Sequence, residues 1–277
     1  MKLSFTKMHG LGNDFVVFDF TDKVTPISQA QAANIANRHF GIGCDQILIV
    51  ERSLRPEMDF KYRILNSDGG EVEQCGNGAR CFAVFVRDKG LSDKSRIKVE
   101  TLGGDIILEV DEASGDVIVD MGVPEFSPSK IPIAAKSQSH IYSVLVDNEP
   151  VAFSAVSMGN PHAVIRVADV DTAKLQSLGA ALETHAFFPK RANIGFMQIL
   201  DRRNIRLRVF ERGVGETIAC GTGACAAVAT GIACGDLDQT VCVQLPGGDL
   251  SISWRGGQNS LIMKGPTQTV FSGEFEL

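Results

Sequence analysis

The sequence has no C-x-x-C pair, no Walker loop, no H-E-x-x-H helix and no G-x-S-x-G elbow. Zinc and thioredoxin-like sites, P-loop chemistry, zincin-type proteolysis and the common hydrolase nucleophile therefore have no support. A net charge of −6, with no clustered Lys/Arg run, leaves no electrostatic footprint for nucleic acid. The stretch Met1 to Gly10 lacks the apolar core of a signal peptide. The longest uncharged run, 217–235, is dominated by Gly, Ala, Thr and Cys and lacks Leu and Phe, and it reads as a buried helix rather than a membrane span. Seven cysteines is an odd number, and no export signal accompanies them. A reducing, cytoplasmic setting is expected rather than a disulfide scaffold. Cys44, Cys81, Cys225, Cys234 and Cys242 read as small core residues.

What the sequence does have is one motif twice. Gly70-Glu71-Val72-Glu73-Gln74-Cys75-Gly76-Asn77-Gly78-Ala79 and Gly215-Glu216-Thr217-Ile218-Ala219-Cys220-Gly221-Thr222-Gly223-Ala224 share the pattern G-E-x-x-x-C-G-x-G-A. Other landmarks recur in the same order, at offsets of 144 to 152 residues. Gly12-Asn13 returns as Gly159-Asn160, and Gly43-Cys44-Asp45-Gln46-Ile47-Leu48 as Gly195-Phe196-Met197-Gln198-Ile199-Leu200. Arg63 returns as Arg208, and Gly103-Gly104-Asp105 as Gly247-Gly248-Asp249. The chain of 277 residues is thus a tandem pair of lobes.

Within each lobe, β-branched and aromatic runs predict strands, at 15–20, 47–50, 60–65, 97–100, 105–110 and 117–121 in the first. Ser28 predicts the N-cap of a helix reaching about His39, with Ile27 as its staple, and a counterpart is expected from Asp171 or Thr172 to near His185. Runs apolar almost all round predict central helices at 79–89 and 223–234. Many short strands and one buried helix per lobe, without β-α-β alternation, predict an α+β fold of two pseudo-symmetric lobes, each a curled sheet or barrel around a central apolar helix. Pro124, Pro128 and Pro132 mark the boundary, giving lobes at 1–121 and 122–265.

A cysteine and two glycines opening an apolar helix suggest chemistry. A helix N-terminus offers free N–H groups and partial positive charge, which lower a thiol's pKa and seat a carboxylate. The plainer reading is that the glycines only allow tight packing of helix on strand; duplication favours function. Two lobes related by a pseudo-two-fold would bring Cys75 and Cys220 to opposite faces of one α-carbon. One thiolate would remove its proton while the other thiol delivered one, inverting the centre. Gly221 to Ala226 formally matches G-x-G-x-x-A, but no βαβ unit surrounds it, so a dinucleotide site is not expected.

The motifs Met8-His9-Gly10-Leu11-Gly12-Asn13-Asp14-Phe15, Gln74-Cys75-Gly76-Asn77-Gly78-Ala79-Arg80-Cys81, Met158-Gly159-Asn160-Pro161-His162, Arg191-Ala192-Asn193-Ile194-Gly195 and Glu211-Arg212-Gly213, together with Cys220-Gly221-Thr222-Gly223, resemble the diaminopimelate epimerase family along essentially the whole chain. The resemblance implies two strand barrels around central helices, with the tail 266–277 returning to the first lobe. It implies inversion of LL-diaminopimelate to the meso form for lysine and peptidoglycan precursors, with neither metal nor pyridoxal phosphate and no other cofactor. Cys75 and Cys220 would be the catalytic pair, and Gly76-Asn77 and Gly221-Thr222 would bind the reacting carboxylate. Asn13, Gln46, Asn66, Asn160, Asn193, Glu211 and Arg212 would contact substrate, and His162 and Glu211 would tune the thiols. The family places a tyrosine near the C-terminus at a subunit contact; Phe271 stands there, losing the hydroxyl but keeping the ring, and a homodimer is still expected.

Each position has a bland alternative. Asn13 and Asn160 are also turn residues beside glycines. His162 is also a packed histidine after a proline, and Glu211 with Arg212 would make an ordinary ion pair. Competing functions are a proline-racemase-like enzyme, which has no use for Asn160, Asn193 and Arg212, a thiol redox sensor, and a non-catalytic ligand-binding relative.

Overall fold

A computed structural model describes residues 2–72 and 75–277; Glu73 and Gln74 of the first motif copy, like Met1, lie outside the described residues. The chain divides into two compact units, residues 1–120 with 264–277, and residues 121–263. The first unit holds β1 (Lys2–Gly10), β2 (Asn13–Asp19), α1 (Gln29–Ala36), β3 (Gln46–Glu51), β4 (Phe60–Asn66), β5 (Glu71–Val72), α2 (Gly76–Asp88), β6 (Arg96–Thr101), β7 (Gly104–Val110) and β8 (Val117–Asp120). The second holds β9 (Tyr142–Val146), β10 (Glu149–Ser157), β11 (Pro161–Arg166), α3 (Leu175–Glu183), β12 (Asn193–Asp201), β13 (Asn204–Glu211), β14 (Gly215–Thr217), α4 (Gly221–Ala233), β15 (Thr240–Leu245) and β16 (Gly248–Ser253). Two strands close the chain, β17 (Ile262–Gly265) and β18 (Gln268–Glu276).

The repeat is written in the strand pairing. From β1 the first unit runs antiparallel to β2, parallel to β3, antiparallel to β4, then to β5 on one side and parallel to β6 on, and antiparallel to β7. From β10 the second unit follows the same order of directions through β11, β12, β13, β14, β15 and β16. The fold is α+β. The outer edge of β1 takes β18, antiparallel from Lys2 opposite Glu276 to His9 opposite Gln268. The strand ladder is open, and not the closed barrel that the resemblance implies.

Strands β2 and β3 are buried on both faces, which suits their parallel pairing and unbroken apolar sequence. Val16, Phe18, Ile47 and Ile49 pack with Ala32 and Ile35 of α1. The opposite face meets α2, where Phe82 lies between the rings of Phe60 and Tyr62, at centroid distances of 6.0 and 4.9 Å. Helix α4 is buried along nearly its whole length, as its apolar sequence requires. A charged side chain interrupts the buried face of α2: Arg80 is fully buried, and its Nε donates to the Pro266 carbonyl at 3.2 Å.

Two predicted helices are shorter than expected. Ser28 caps α1 in a capping box with Gln31, but the helix stops at Ala36 rather than His39. The Asn37 side-chain oxygen takes the N–H groups of His39 and Phe40, at 2.8 and 2.9 Å, and this local turn outcompetes another helical turn. Helix α3 begins at Leu175, after Asp171 and Thr172. The Asp171 carboxylate is engaged by Arg206 at 2.9 Å through both oxygens, so it does not serve as a cap. No described helix is long and apolar enough to cross a membrane.

Candidate active site

Both motif cysteines occupy the N-cap of the central helix of their unit. Cys75 caps α2 with extended backbone, and its sulfur accepts the Gly78 N–H at 3.4 Å. Cys220 caps α4 in the same way, accepting from Gly223 N–H at 3.4 Å. Each sulfur therefore takes the place that Ser or Asp fills in an ordinary cap.

The second glycine after each cysteine is a packing requirement. A Cβ at Gly78 would stand 2.3 Å from the Tyr62 hydroxyl and 3.2 Å from Leu48 Cδ2. At Gly223 it would stand 2.9 Å from Val209 Cγ2 and 3.1 Å from the Cys220 sulfur. The packing role and the capping role thus coexist at one site.

In the first unit the polar side chains come from one end of three adjacent strands. Leu11 and Gly12, with φ of 57° and 86°, make a two-residue turn between β1 and β2 and deliver Asn13 as the first residue of β2. The Asn13 oxygen receives the Cys75 thiol at 3.8 Å and the Asn77 amide at 3.2 Å. Gln46, at the start of β3, is paired in register with Asn66, at the end of β4, and donates to its Oδ1 at 2.9 Å. Asn77 is buried in the first turn of α2, next to Gly76.

In the second unit, parallel register sets His162 of β11 beside Asn193 of β12. Asn193 donates to the Pro161 carbonyl at 3.3 Å and accepts the Arg212 backbone N–H at 2.9 Å, which ties the end of β13 to β12. Asn160 meets His162 Nε2 through its oxygen at 2.9 Å, and directs its amide nitrogen to Thr222 Oγ1 at 3.5 Å. Thr222 Oγ1 is in turn 3.7 Å from the Cys220 sulfur, beside Gly221 in the first turn of α4. Glu211 receives the Thr217 hydroxyl at 2.5 Å and acts electrostatically on Cys220.

The electrostatics correct one sequence expectation. A helix N-terminus alone lowers a thiol's pKa, yet Cys220 is pushed well above the ordinary value. Burial is the largest cause, the Glu211 charge adds to it, and the Gly223 N–H and Thr222 only partly oppose them. His162, wholly buried, falls to about 3 through burial and then the positive charge of Arg212, so the ring is neutral at pH 7. Arg212 itself is exposed; its Nη1 donates to the Lys190 carbonyl at 3.2 Å, and no carboxylate pairs with it among the described residues.

The sequence did not single out the ion network behind Asn13. Lys7 and Arg38 both bind Asp14, and Arg38 also binds Asp45, which accepts from Asn13. Nor did it single out Tyr62, whose buried hydroxyl finds no hydrogen-bond partner among the described residues and occupies the space a side chain at Gly78 would need. Asp14 and Asp45 do flank the landmarks Asn13 and Gln46, and that adjacency was the available signal. Among the described residues no three His, Cys, Asp or Glu side chains converge as a metal ion needs.

The sequence pattern of the family described as diaminopimelate epimerase matches residues 5–127 and 154–270. A diaminopimelate epimerase of Azoarcus sp. strain BH72 is 56% identical over 277 residues, covering all of both chains. One from Nitrosomonas europaea is 54% identical, also over all of both chains. Among solved structures, a phenazine biosynthesis protein of the PhzF family from Bacillus anthracis superposes with a TM-score of 0.70 at 16% identity, over 100% of each chain. A hydroxyproline epimerase from Agrobacterium vitis, with trans-4-hydroxy-L-proline bound, also gives 0.70, at 13% identity over 99% of this chain and 92% of that one. At such identities the solved structures speak for the fold.

Proposed function

Because this chain belongs to the diaminopimelate epimerase family, we propose that Cys75 and Cys220 are the acid–base pair of a cofactor-independent inversion of LL-2,6-diaminopimelate to the meso isomer. Family membership makes the protein an isomerase, an amino-acid epimerase acting on diaminopimelate. The observation that carries the residue assignment is the shared cap: two sulfurs, each on the N–H of the residue three positions on, each opening a buried helix.

In this reading one thiolate takes the α-proton and the other thiol returns a proton to the opposite face. Charge then develops on the carboxylate next to the reacting carbon. The N–H groups of Gly76 and Asn77, and of Gly221 and Thr222, lie in the first turns of α2 and α4, where free donors and the helix dipole favour that charge. Asn13, Gln46 and Asn66 supply amide contacts from the first unit. Asn160, Asn193, Glu211 and Arg212 hold the distal amino-acid end, and the Arg212 guanidinium, with no carboxylate on it among the described residues, suits that of the substrate. His162, neutral and hydrogen-bonded to Asn160, sets that amide, and Glu211 keeps Cys220 basic. A proton carrier that must abstract from carbon gains from a high pKa, because a weakly basic thiolate is a poor base.

The active form is read as a cytoplasmic homodimer. Val270 and Phe271 of β18 are about half exposed, and Phe271 meets Phe5 edge-on at 5.8 Å, which leaves an apolar patch for a second copy.

The direct test is incubation of purified protein with LL-diaminopimelate, with no cofactor added and with chelator present, followed by chromatographic separation of isomers. Approach to an LL/meso equilibrium is expected. Activity on proline but not on diaminopimelate would overturn the reading in favour of a proline-racemase-like enzyme.

A further inference from the structure

The two cysteines are capped alike, but the asparagine beside each is turned the opposite way. Asn160 points its nitrogen towards Thr222 and Cys220, with its oxygen on His162. Asn13 points its oxygen at Cys75, with its nitrogen on Asp45 Oδ2 at 2.9 Å. An amide is planar, so whatever fixes one end fixes the other. The Asp45 carboxylate accepts the amide N–H of Asn13, and Arg38 holds its other oxygen at 2.8 Å. It also receives the Asp14 N–H at 3.1 Å, while its own N–H returns to Asp14 Oδ1 at 2.9 Å. Burial pushes the Asp14 carboxyl up, yet hydrogen bonds from Arg38 and Lys7 outweigh this and hold it well below the usual carboxylate range. The repeat sharpens the contrast: β2 pairs with β3 in the same parallel register as β11 with β12, which puts Ala192, and not the Met197 of the sequence landmarks, at the place of Asp45, and its methyl group offers no acceptor.

We propose that Asp45 is a positioning residue for Cys75: by taking the Asn13 amide N–H it turns the Asn13 carbonyl onto the Cys75 sulfur and keeps that thiol basic against the pull of the α2 N-terminus. Asp45 then does for Cys75, at one remove, what Glu211 does directly for Cys220. Cys75 needs this because it is the less buried of the two. Two titratable side chains on the packed elements couple electrostatically to Cys75, whose charge, after burial, raises them both: Tyr62 on β4 and Cys81 on α2. Burial raises both, Cys81 to about 12 despite Thr267 and Arg80, so neither carries charge at pH 7. The catalytic value of the device rests on the two-thiol reading above; its chemical signature does not.

The experiment is alkylation of the full-length protein with iodoacetamide from pH 6 to 10, scored at the Cys75 and Cys220 peptides by mass spectrometry. In Asp45→Asn, which keeps the size but allows the Asn13 amide to flip, Cys75 is expected to alkylate at least about threefold faster at pH 7.5, its curve moving down by roughly half a unit. The Cys220 curve should stay in place. In Asn13→Ala the Cys75 curve should also move down, and adding Asp45→Asn to it should change nothing further. An unmoved Cys75 curve in folded Asp45→Asn overturns the proposal, and so does an equal shift in the Asn13→Ala background, which would mean that Asp45 reaches Cys75 by a route that bypasses Asn13. Should Asp45→Asn lose its native circular dichroism, Asn13→Ala still decides, since an unmoved Cys75 curve there removes the acceptor role. A wild-type protein that fails to epimerise diaminopimelate would sink the functional reading and leave these curves interpretable.

Discussion

The Gly223 N–H sits 3.4 Å from the Cys220 sulfur, and a methyl group on Gly223 would come within 3.1 Å of that same sulfur. The hydrogen bond that caps α4 and one of the two close approaches that demand glycine, the other being Val209 Cγ2 at 2.9 Å, therefore fall on the same sulfur. Gly78 and Cys75 repeat the cap, with the Tyr62 hydroxyl as the obstacle.

Gly223→Ala and Gly78→Ala should each lose about 1–3 kcal/mol in denaturant unfolding, although alanine is the better helix former by about 1 kcal/mol. The Gly78 variant should be the worse, because Tyr62 is fully buried and cannot swing aside. Unchanged midpoints in both variants would mean that the helices slide freely on their sheets, contrary to the packing described.

Arg212 is exposed, and its guanidinium donates to the Lys190 carbonyl without a carboxylate partner among the described residues. Removing its side chain should therefore spare stability while deleting the donor for a distal carboxylate. Arg212→Ala is expected to keep its melting temperature within a degree or two, and to lose at least about a hundredfold in kcat/KM on diaminopimelate. Wild-type kinetics in that variant would remove Arg212 from the site.

Much of this arrangement was legible in the sequence, for identifiable reasons. Strands β2, β3 and β4 announce themselves because β-branched and aromatic runs have few other uses, and Gly-x-Gly at a helix start marks a crowded backbone. The landmarks Arg63 with Glu71 and Arg208 with Glu216 recur because they are the same object: a guanidinium forked onto a carboxylate, at 2.8 and 3.1 Å in one unit and 2.7 and 3.0 Å in the other. What could not be read was competition. Asn37 ends α1 early by a side-chain turn, and Arg206 draws Asp171 away from a cap. The direction of the Cys220 shift was also hidden, since the helix dipole is visible in a motif whereas burial and the Glu211 charge are tertiary.

The His162 pKa, about 3 against an ordinary 6.5, fixes a sign for acid stability. The unfolded chain takes up a proton below pH 6.5 that the folded protein refuses until about pH 3. Stability from the neutral ring is thus complete above pH 6.5 and is lost as pH falls towards 3. Between pH 7 and 4.5 that loss is roughly 2–3 kcal/mol. His162→Gln can still donate to Asn160 and does not titrate, so its unfolding free energy should fall by that much less over the same interval. An identical pH slope in wild type and variant would show that the ring is protonated inside the fold.

The two-thiol mechanism makes a labelling prediction that a one-base enzyme does not share. If one thiol abstracts and the other delivers, the delivered proton comes from solvent while the abstracted one stays with the base. In heavy water, early in a reaction started from LL-diaminopimelate, the meso product should carry deuterium at the inverted carbon. Recovered LL substrate should stay nearly free of it, because return of the abstracted proton restores hydrogen and not deuterium. Cys75→Ala and Cys220→Ala should each abolish inversion, by orders of magnitude in kcat, since each removes the proton carrier for one face. The two variants need not fold equally well. Cys220 is buried to 4% exposure against the α4 N-terminus, so its truncation also leaves a small cavity, whereas Cys75 is half-buried. Cys→Ser variants fill that space and separate the causes: serine restores the cap but is far less acidic than a thiol, so stability should return while inversion does not. Early deuterium in recovered LL substrate, or near-normal epimerisation by any of the four variants, would take the acid–base role away from this pair.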